Sequence, residues 1–302
     1  MRKKPFKQFS GIFDSIFMSI IYFFLSAILL IILLPLMNIV SSSISSPKAV
    51  SSGQVGIWPV DISLVGFSAI FENKSILYGF MNSFIYTILG TLINIAMTLV
   101  AAYPLSRRDF IGRKPIMLIF TFTMLFSGGM IPTYLVVRSL GMLNTIWSMV
   151  IPNAMGVYMV ILARTFLQNS VPLELYESAE IDGCNYIKMF FMITLPLSKA
   201  LIAVITLMYA VGHWNSYFNA LMYLTSQQKF PLQLVLRQIL VLNQFDLTNM
   251  TSLQFDRMID RQYLANLLKY SVIVVATVPV MILYPFVQKH FVKGVMLGSL
   301  KG

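Results

Sequence analysis

Charged residues are scarce in this chain of 302 residues: they make up 11% of it, while 57% of its residues are hydrophobic. A soluble domain of average composition carries about a quarter charged residues, so this composition excludes one. Several apolar runs are long enough to cross a bilayer, where backbone polar groups must be satisfied inside helices or closed barrels. The sequence therefore predicts an all-α, polytopic membrane protein.

Cysteine and histidine are almost absent, which argues against two kinds of site. Cys184 is the single cysteine, so an internal disulfide framework is excluded. The two histidines, His213 and His290, lie far apart in the sequence without cysteine neighbours, and this argues against a zinc site. The sequence predicts no cofactor and no metal in this chain.

Two features of energy-driven transporters are also missing. No segment matches the G-x-x-x-x-G-K-[ST] loop that holds nucleotide phosphates, so the chain does not hydrolyse ATP by that route. No Asp or Glu falls well inside a predicted span, whereas ion-driven carriers usually need intramembrane carboxylates or broken-helix ion sites. This counts against a self-sufficient secondary carrier, which stays the main alternative. A membrane scaffold without a transport path is a third.

Apolar runs dominate what is present, and they predict six transmembrane helices in a single domain of residues 1–302. The core of this domain is expected at about 78–290. One external segment is expected at 41–77 and a second from the end of the fifth span, at 217–223, to about 262. A short helix is expected near 67–71. The six spans are expected at about 16–40, 78–105, 116–137 (interrupted near Gly128, Gly129 and Pro132), 147–166, 197 to 217–223, and 263–288.

Basic residues indicate the orientation of these spans. The net charge of +11 comes from residues scattered at the ends of apolar runs, a pattern that membrane topology explains better than nucleic-acid binding. Short cytoplasmic loops are enriched in Lys and Arg, so the sequence predicts both termini in the cytoplasm. The clearest cytoplasmic marker is the turn at 106–115, with Arg107, Arg108, Arg113 and Lys114.

Residues 170–197 form the one acidic segment in this basic chain. Pro172 suits the first turn of a helix, and Gly183 suits a helix end in the left-handed conformation. A second helix is expected to follow and to close at Pro196. Two short helices bent at a glycine predict a protruding knob that docks into another protein. The segment holds four of the chain's 11 acidic residues, Glu174, Glu177, Glu180 and Asp182.

This acidic segment carries a recognisable motif. E-S-A-E-I-D-G (177–183), followed by I-T-L-P (193–196), resembles the EAA signature of ABC-importer permeases, E-A-A-x-x-x-G with I-x-L-P downstream. Ser178 in the middle of the triplet is a small-for-small departure. A-A-Y-P-L-S-R-R (101–108) resembles the A-Y-A-L-S-R segment of sugar-type permeases. The stretch 209–221 and the tail Q-K-H-F-V-K-G-V-M-L-G-S-L-K-G are similar to the YtcP-like branch, which is associated with complex and pectin-derived oligosaccharides.

The resemblance implies a type I ABC importer permease fold in a bacterial cell membrane. It implies a transport subunit and no enzyme: ATP and Mg would be held by a partner ATPase. The implied partners are a second homologous permease forming a heterodimer, two ATPase subunits on the cytoplasmic side, an extracellular solute-binding protein and an oligosaccharide. No nucleic acid is among them.

The same resemblance implies coupling helices at about 170–196. Gly183 is expected to permit the bend, Glu177 to bond at the docking edge, and the apolar residues to bury area in a groove of the ATPase. An ordinary amphipathic interfacial helix pair is the alternative, but such helices carry Lys and Arg on their polar face. The predicted coupling residues are Tyr176, Glu177, Ser178, Ala179, Ile181, Asp182, Gly183 and Tyr186.

Polar and aromatic side chains within the predicted spans are candidates for the substrate path. Aromatic faces and amide or hydroxyl groups are what sugars bind, and H-W-N-S-Y-F-N (213–219) offers both. The alternative is that these groups form helix–helix hydrogen bonds or an interfacial aromatic belt. The candidates are His213, Trp214, Asn215, Tyr217, Asn219, Asn82, Tyr86 and Asn153, with Asn94, Thr98 and Tyr158 as further possibilities.

Overall fold

The structure, a computed structural model, describes residues 12–242, 262–282 and 284–285. Every regular element within those ranges is a helix. Besides the α-helices there are a π-helical turn at Phe190–Thr194 and a 3₁₀ turn at Gln227–Lys229. The helices are α1 (Ile12–Ser43), α2 (Pro47–Ser51), α3 (Val65–Glu72), α4 (Lys74–Ser106), α5 (Arg113–Leu125), α6 (Met130–Ser139), α7 (Ile146–Val150), α8 (Val157–Ser170), α9 (Leu173–Ile181), α10 (Tyr186–Met189), α11 (Leu195–Leu197), α12 (Lys199–Trp214), α13 (Phe218–Tyr223), α14 (Leu232–Leu242) and α15 (Gln262–Ile282).

Three of the described helices are long and apolar enough to cross a membrane: α1, α4 and α15. Two bent pairs raise the number to five if each pair is one span. These are α5 with α6, bent by 113°, and α10–α11 with α12, bent by 80°. The predicted count of six spans is therefore not confirmed. The basic tail and the end of the last predicted span, 286–302, lie outside the described residues, as does the basic stretch 1–11.

The interruption predicted in the third span is confirmed, whereas the continuous helix expected for the fourth span is wrong. The third breaks between Leu125 and Met130, next to the glycines singled out in the sequence, and Gly129 has a φ of +87°. The fourth is divided into α7 and α8 by residues 151–156, which leaves α8 only 14 residues long. Apolar composition marks a segment as buried or lipid-facing, but it does not fix helix continuity.

The described residues form two compact units, and the first consists of those within 1–70 and 243–274. In it, residues after α1 fold back onto its end: the Asn38 amide donates to the carbonyls of Val55 and Gly56 at 2.9 and 3.0 Å. The Ser45 hydroxyl accepts from the Val60 N–H at 3.0 Å. The predicted polar segment thus contains ordered structure. The short helix expected near 67–71 is confirmed as part of α3.

The second unit consists of the described residues within 71–242 and 275–302, and α4 is its central helix. α4 packs against α8, α12 and α14. The packing of α14 was missed, because its segment was predicted to be part of an external loop. The Leu232 N–H at its start donates to the Ser83 hydroxyl at 2.9 Å, and Leu232, Leu234 and Val235 are buried. This arrangement sets the acidic segment against the end of α4.

Candidate functional site

The EAA segment, residues 170–197, folds as the predicted pair of short helices. α9 starts after Pro172, which lies at the N-cap, one position before the predicted first turn. Its C-terminus is a Schellman motif: the Cys184 N–H donates to the Ala179 carbonyl at 2.9 Å and the Gly183 N–H to the Glu180 carbonyl at 3.0 Å. Gly183 has a φ of +74°, a left-handed conformation that favours glycine. The predicted glycine bend is confirmed as backbone geometry.

The second arm of the EAA segment has its own cap. The Asn185 side chain accepts from the Lys188 N–H at 2.8 Å, so α10 begins directly after the bend. Helical structure continues through Pro196, and the 80° bend follows between Leu197 and Lys199. The closure predicted at Pro196 therefore takes the form of a sharp change of direction into α12.

Exposure divides the predicted coupling residues into two groups. Ile181 is 86% exposed at the bend, and Glu177, Ser178, Asp182, Gly183 and Tyr186 are also exposed. Tyr176 and Ala179 are only 6% and 7% exposed, because they pack in this chain's own core with Leu167 and Met189. This corrects the expectation that Tyr176 and Ala179 bury area in a partner's groove. Their place is beneath the exposed surface, which they hold against α8, α10 and α12.

Arg107, directly after α4, is the residue around which the EAA segment is organised. Its guanidinium donates to a carboxylate oxygen of Glu180 on α9 at 2.7 Å and to one of Asp109 at 3.1 Å. The guanidinium carbon lies 4.2 Å from the centre of the Tyr176 ring, within cation–π distance. Arg107 is 8% exposed. The end of α4 is thus bound to α9 by a buried charge.

The same arginine reaches the second arm. Its guanidinium carbon lies 5.6 Å from the centre of the Tyr186 ring, and its Nη1 is 3.6 Å from the Met189 sulfur. Tyr186 is fixed further: its hydroxyl donates to Asp109 at 3.3 Å, and its carbonyl accepts from the Tyr103 hydroxyl at 3.2 Å. Arg107, Asp109, Tyr176, Glu180, Tyr186 and Met189 are called the Arg107 cluster below. Through it one side chain touches both arms of the bend.

Electrostatics favour the charged forms of Arg107 and Asp109. Burial by itself favours the neutral forms, but hydrogen bonds and charge outweigh it. The pKa of Arg107 is raised above its ordinary value by the hydrogen bonds and charge of Asp109 and Glu180. The pKa of Asp109 is lowered below 3.8 by the hydrogen bond and charge of Arg107. Asp109 therefore contributes its ion pair at neutral pH and loses it only as the pH falls through that depressed value.

Sequence reasoning missed the role of Arg107, which it treated only as a cytoplasmic marker. The available signal was weak: an arginine with an aspartate two residues later, in a chain with few acidic residues. Nothing in the sequence separates Arg107 from Arg108, yet the first is buried and the second exposed. Only the packing of α4 against the EAA segment distinguishes the two.

A row of polar contacts joins α4 to α12, at positions on α4 that precede Arg107 in the sequence. Gly90, Asn94 and Thr98 recur every fourth residue on α4, and His213 and Tyr209 do so on α12. The Asn94 amide nitrogen donates to the Asn153 carbonyl at 2.5 Å, so its oxygen accepts from His213 Nε2 at 2.6 Å. The Thr98 and Tyr209 hydroxyls lie 2.7 Å apart. Groups separated by four residues share one helix face, which is why they meet in register.

The structure places four predicted substrate-path residues in contacts within this chain. Asn82 donates to the Gln228 carbonyl at 2.7 Å and Tyr86 to the Lys229 carbonyl at 2.7 Å. The Trp214 indole N–H donates to the Ala276 carbonyl at 3.0 Å, and its ring packs edge-on against Phe80 and Phe84. With His213, these contacts favour the alternative in which polar groups hold helices together. A buried Trp214 corrects the expectation of an aromatic face open to sugar.

The other four predicted path residues keep exposed or half-buried side chains. Asn153, Asn215 and Tyr217 are exposed, and Asn219 is half-buried. Asn215 uses its amide within the chain, donating to the Val211 carbonyl at 3.0 Å. The hydrogen bond of Asn153 is to Asn94, and it does not connect Asn153 with Asn215, Tyr217 or Asn219. These residues stay candidates without a defined site.

Two threonines missed by the sequence reading line a cavity. It has a volume of about 400 Å³ and lies between α4, α12 and α15. Thr87 and Thr91 line it, and their buried hydroxyls have no hydrogen-bond partner among the described residues. Trp214 forms another part of the wall. The spacing of Thr87 and Thr91, four residues apart and in step with the polar face of α4, was the signal that could have found them.

These features define a class of protein: a helical membrane protein in which an exposed acidic bend is fastened to the end of a spanning helix. The comparison with protein families agrees. The chain belongs to the family described as binding-protein-dependent transport system inner membrane component, whose model matches residues 75–297. Members of this family are transport components rather than enzymes. The predicted family and the all-α fold are thereby confirmed.

Relatives cover nearly the whole chain. The polygalacturonan/rhamnogalacturonan transport system permease protein YtcP of Bacillus subtilis is 42% identical over 292 residues, 96% of this chain and 99% of its own length. Protein LplC of the same organism is 41% identical and covers 92% of both chains. Among solved structures, a chain of a bacterial ABC transporter involved in the import of the acidic polysaccharide alginate superposes with a TM-score of 0.85. The transporter chain is 32% identical to this one, and the match covers 94% of this chain and 99% of the transporter chain.

Proposed function

We propose that this chain is the transmembrane permease subunit of an ATP-driven oligosaccharide importer. It forms half of the translocation path with a second homologous permease and performs no covalent chemistry. Two ATPase subunits dock on the cytoplasmic side, where ATP and Mg are held, and an extracellular binding protein delivers the sugar. Both termini face the cytoplasm. Binding and release of ATP by the partners switches the path between outward- and inward-facing states.

The observation that carries this proposal is the bent EAA segment. At the bend its surface presents Ile181, which is the most exposed large apolar residue of the segment at 86%, beside the carboxylates of Glu177 and Asp182. An apolar side chain rimmed by acidic groups is complementary to an apolar pocket in a basic groove of a partner. The Schellman bend at Gly183 gives this surface a fixed shape.

The substrate class is inferred from the relatives. YtcP is named for polygalacturonan and rhamnogalacturonan, and the solved transporter is described as importing the acidic polysaccharide alginate. Because these proteins match this chain over almost its full length, we infer that the substrate is an oligosaccharide of uronic acids derived from pectin. Asn215, Tyr217 and Asn219, which retain exposed or half-buried polar groups, are the proposed contacts in the path.

A substitution at the bend tests the coupling role. Gly183→Val is expected to lower the amount of oligogalacturonide transported per ATP hydrolysed by proteoliposomes that contain the complete importer. A β-branched residue at φ +74° costs roughly 1–2 kcal/mol or more, so the bend relaxes and no longer transmits motion. A Cβ at this position meets no atom within 4 Å, so the effect acts through the backbone.

Gly183→Asn is the matched control, because asparagine tolerates the left-handed conformation. It should keep most of the transport per ATP. An unchanged ratio in Gly183→Val contradicts the coupling role. Uptake by this chain alone, driven by an ion gradient without ATPase subunits, would replace the proposal with the secondary carrier.

A further inference from the structure

We infer that Arg107 is the positioning residue of the EAA segment: it fixes the angle between α9 and α10 and ties both to α4. The inference rests on the proposed coupling function and names the residue through which the motion of the docked segment enters the membrane helices. It concerns a residue outside the EAA motif, about 70 positions earlier in the chain.

Contacts to both arms are the first step. On α9 the guanidinium bonds Glu180 at 2.7 Å and lies over the Tyr176 ring at 4.2 Å. On α10 it lies 5.6 Å from the Tyr186 ring and 3.6 Å from the Met189 sulfur. The two arms are joined through the backbone at Gly183, which adds no side chain to the bend. One planar group bound to both arms therefore closes a triangle and holds their angle.

The chemistry of the cluster requires arginine. The guanidinium donates to the carboxylates of Asp109 and Glu180 while its carbon lies 4.2 Å from the centre of the Tyr176 ring. A lysine ammonium is a compact point charge on a flexible stem and does not reproduce a planar fork that also stacks. Charge-assisted hydrogen bonds are stronger than neutral ones, and here the Arg107 side chain is 8% exposed while that of Glu180 is 49% exposed. The contact is therefore a half-buried ion pair.

The chain of contacts continues from Arg107 along α4 to α12. Arg107 follows α4 directly, and its N–H donates to the Pro104 carbonyl at 3.1 Å. Farther along α4, Thr98 and Asn94 contact Tyr209 and His213 on α12. A displacement of α9 is thus carried by Glu180 to Arg107 and then by α4 to the helix pair α4–α12. The alternative route, through the backbone of α10–α11, passes two changes of direction, the bend at Gly183 and the 80° bend before α12.

The test uses Arg107→Ala, Arg107→Lys and Glu180→Gln in the complete importer, with Arg108→Ala as the matched control. Arg108 carries the same charge on the next residue but is exposed. Two quantities are measured: oligogalacturonide transported per ATP hydrolysed, and hydrogen–deuterium exchange in peptides covering α9 and α10. Arg107→Ala should lower the transport ratio about tenfold, the scale of one charge-assisted hydrogen bond, and speed exchange in both arms.

Arg107→Lys should restore only part of the ratio, and Glu180→Gln should lower it less because a neutral acceptor remains. Arg108→Ala should match the wild type in both measurements. A full transport ratio in Arg107→Ala, or an equal loss in Arg108→Ala, overturns the inference. If the wild-type importer transports no oligogalacturonide, the proposed function fails separately. The exchange measurement needs no sugar and therefore still decides the positioning role in that case. Faster exchange in Arg107→Ala but not in Arg108→Ala supports the role, and equal exchange in all variants overturns it.

Discussion

Gly90 shows how one residue fixes the polar contacts between α4 and α12. Its Cα lies directly against the His213 ring: a Cβ built there would be 2.5 Å from ring atoms. Absence of a side chain therefore allows His213 to approach α4 and reach Asn94. In helices that pack inside a membrane, small residues of this kind permit close approach and interhelical hydrogen bonds.

Gly90→Ala is predicted to destabilise the protein by about 1–3 kcal/mol, because the added methyl group displaces the His213 ring and weakens its bond to Asn94. Thermal unfolding of the detergent-solubilised protein measures this as a lower Tm. Gly212→Ala on α12 is the control, since a Cβ there meets nothing within 4 Å. That control should be neutral or more stable, as alanine is the better helix former. Equal Tm values for the two variants would contradict the explanation.

At the scale of elements, the two broken spans require an explanation in terms of backbone polar groups. Non-helical backbone at membrane depth is tolerated where protein groups satisfy it. Between α7 and α8, the Asn153 carbonyl accepts from Asn94, and the Gly156 N–H donates to the Tyr209 hydroxyl at 3.2 Å. The polar side chains of α4 and α12 thus stabilise the break in the fourth predicted span. Their presence inside apolar helices is explained without a ligand.

Tyr209→Phe is predicted to cost about 1–3 kcal/mol, because it leaves the Gly156 N–H without its acceptor and Thr98 without its partner. Chemical or thermal unfolding in detergent measures the loss. Tyr158→Phe removes the same hydroxyl from an exposed tyrosine on α8 and should change stability by less than 0.5 kcal/mol or so. A Tyr209→Phe protein as stable as the Tyr158→Phe protein would show that the break has other support.

At the scale of the whole molecule, exposed apolar surface indicates what must cover this chain. Along α1, Phe17, Phe23 and Ile31 are among many exposed apolar residues, as expected of a helix surrounded by lipid. Ile181 is different, because it lies beside the acidic residues Glu180 and Asp182 at the end of α9. An apolar residue at that place is explained by a protein partner better than by lipid.

Ile181→Glu is predicted to abolish co-purification of the ATPase subunits with the permease, since it places a charge where an apolar side chain is expected to enter a pocket. Ile111→Glu is the matched control: Ile111 is 96% exposed in the turn after α4 and outside the EAA segment. The ATPase subunits should remain bound to the Ile111→Glu protein. Retention of the ATPase by the Ile181→Glu protein would remove Ile181 from the docking surface.

Some features of this protein are determined by the sequence alone and others only by the tertiary structure. By itself, the sequence determined the helical membrane class, the family and the bend at Gly183, because hydrophobicity, the EAA motif and left-handed glycine geometry are local properties. Which side of the bend faces outward was decided only by packing, which buries Tyr176 and Ala179 and leaves Ile181 exposed. The choice of Arg107 over Arg108 was decided in the same way. Contacts between residues about 70 to 120 positions apart, such as Arg107–Glu180 and Asn94–His213, depend on how the helices pack, and no local pattern encodes that.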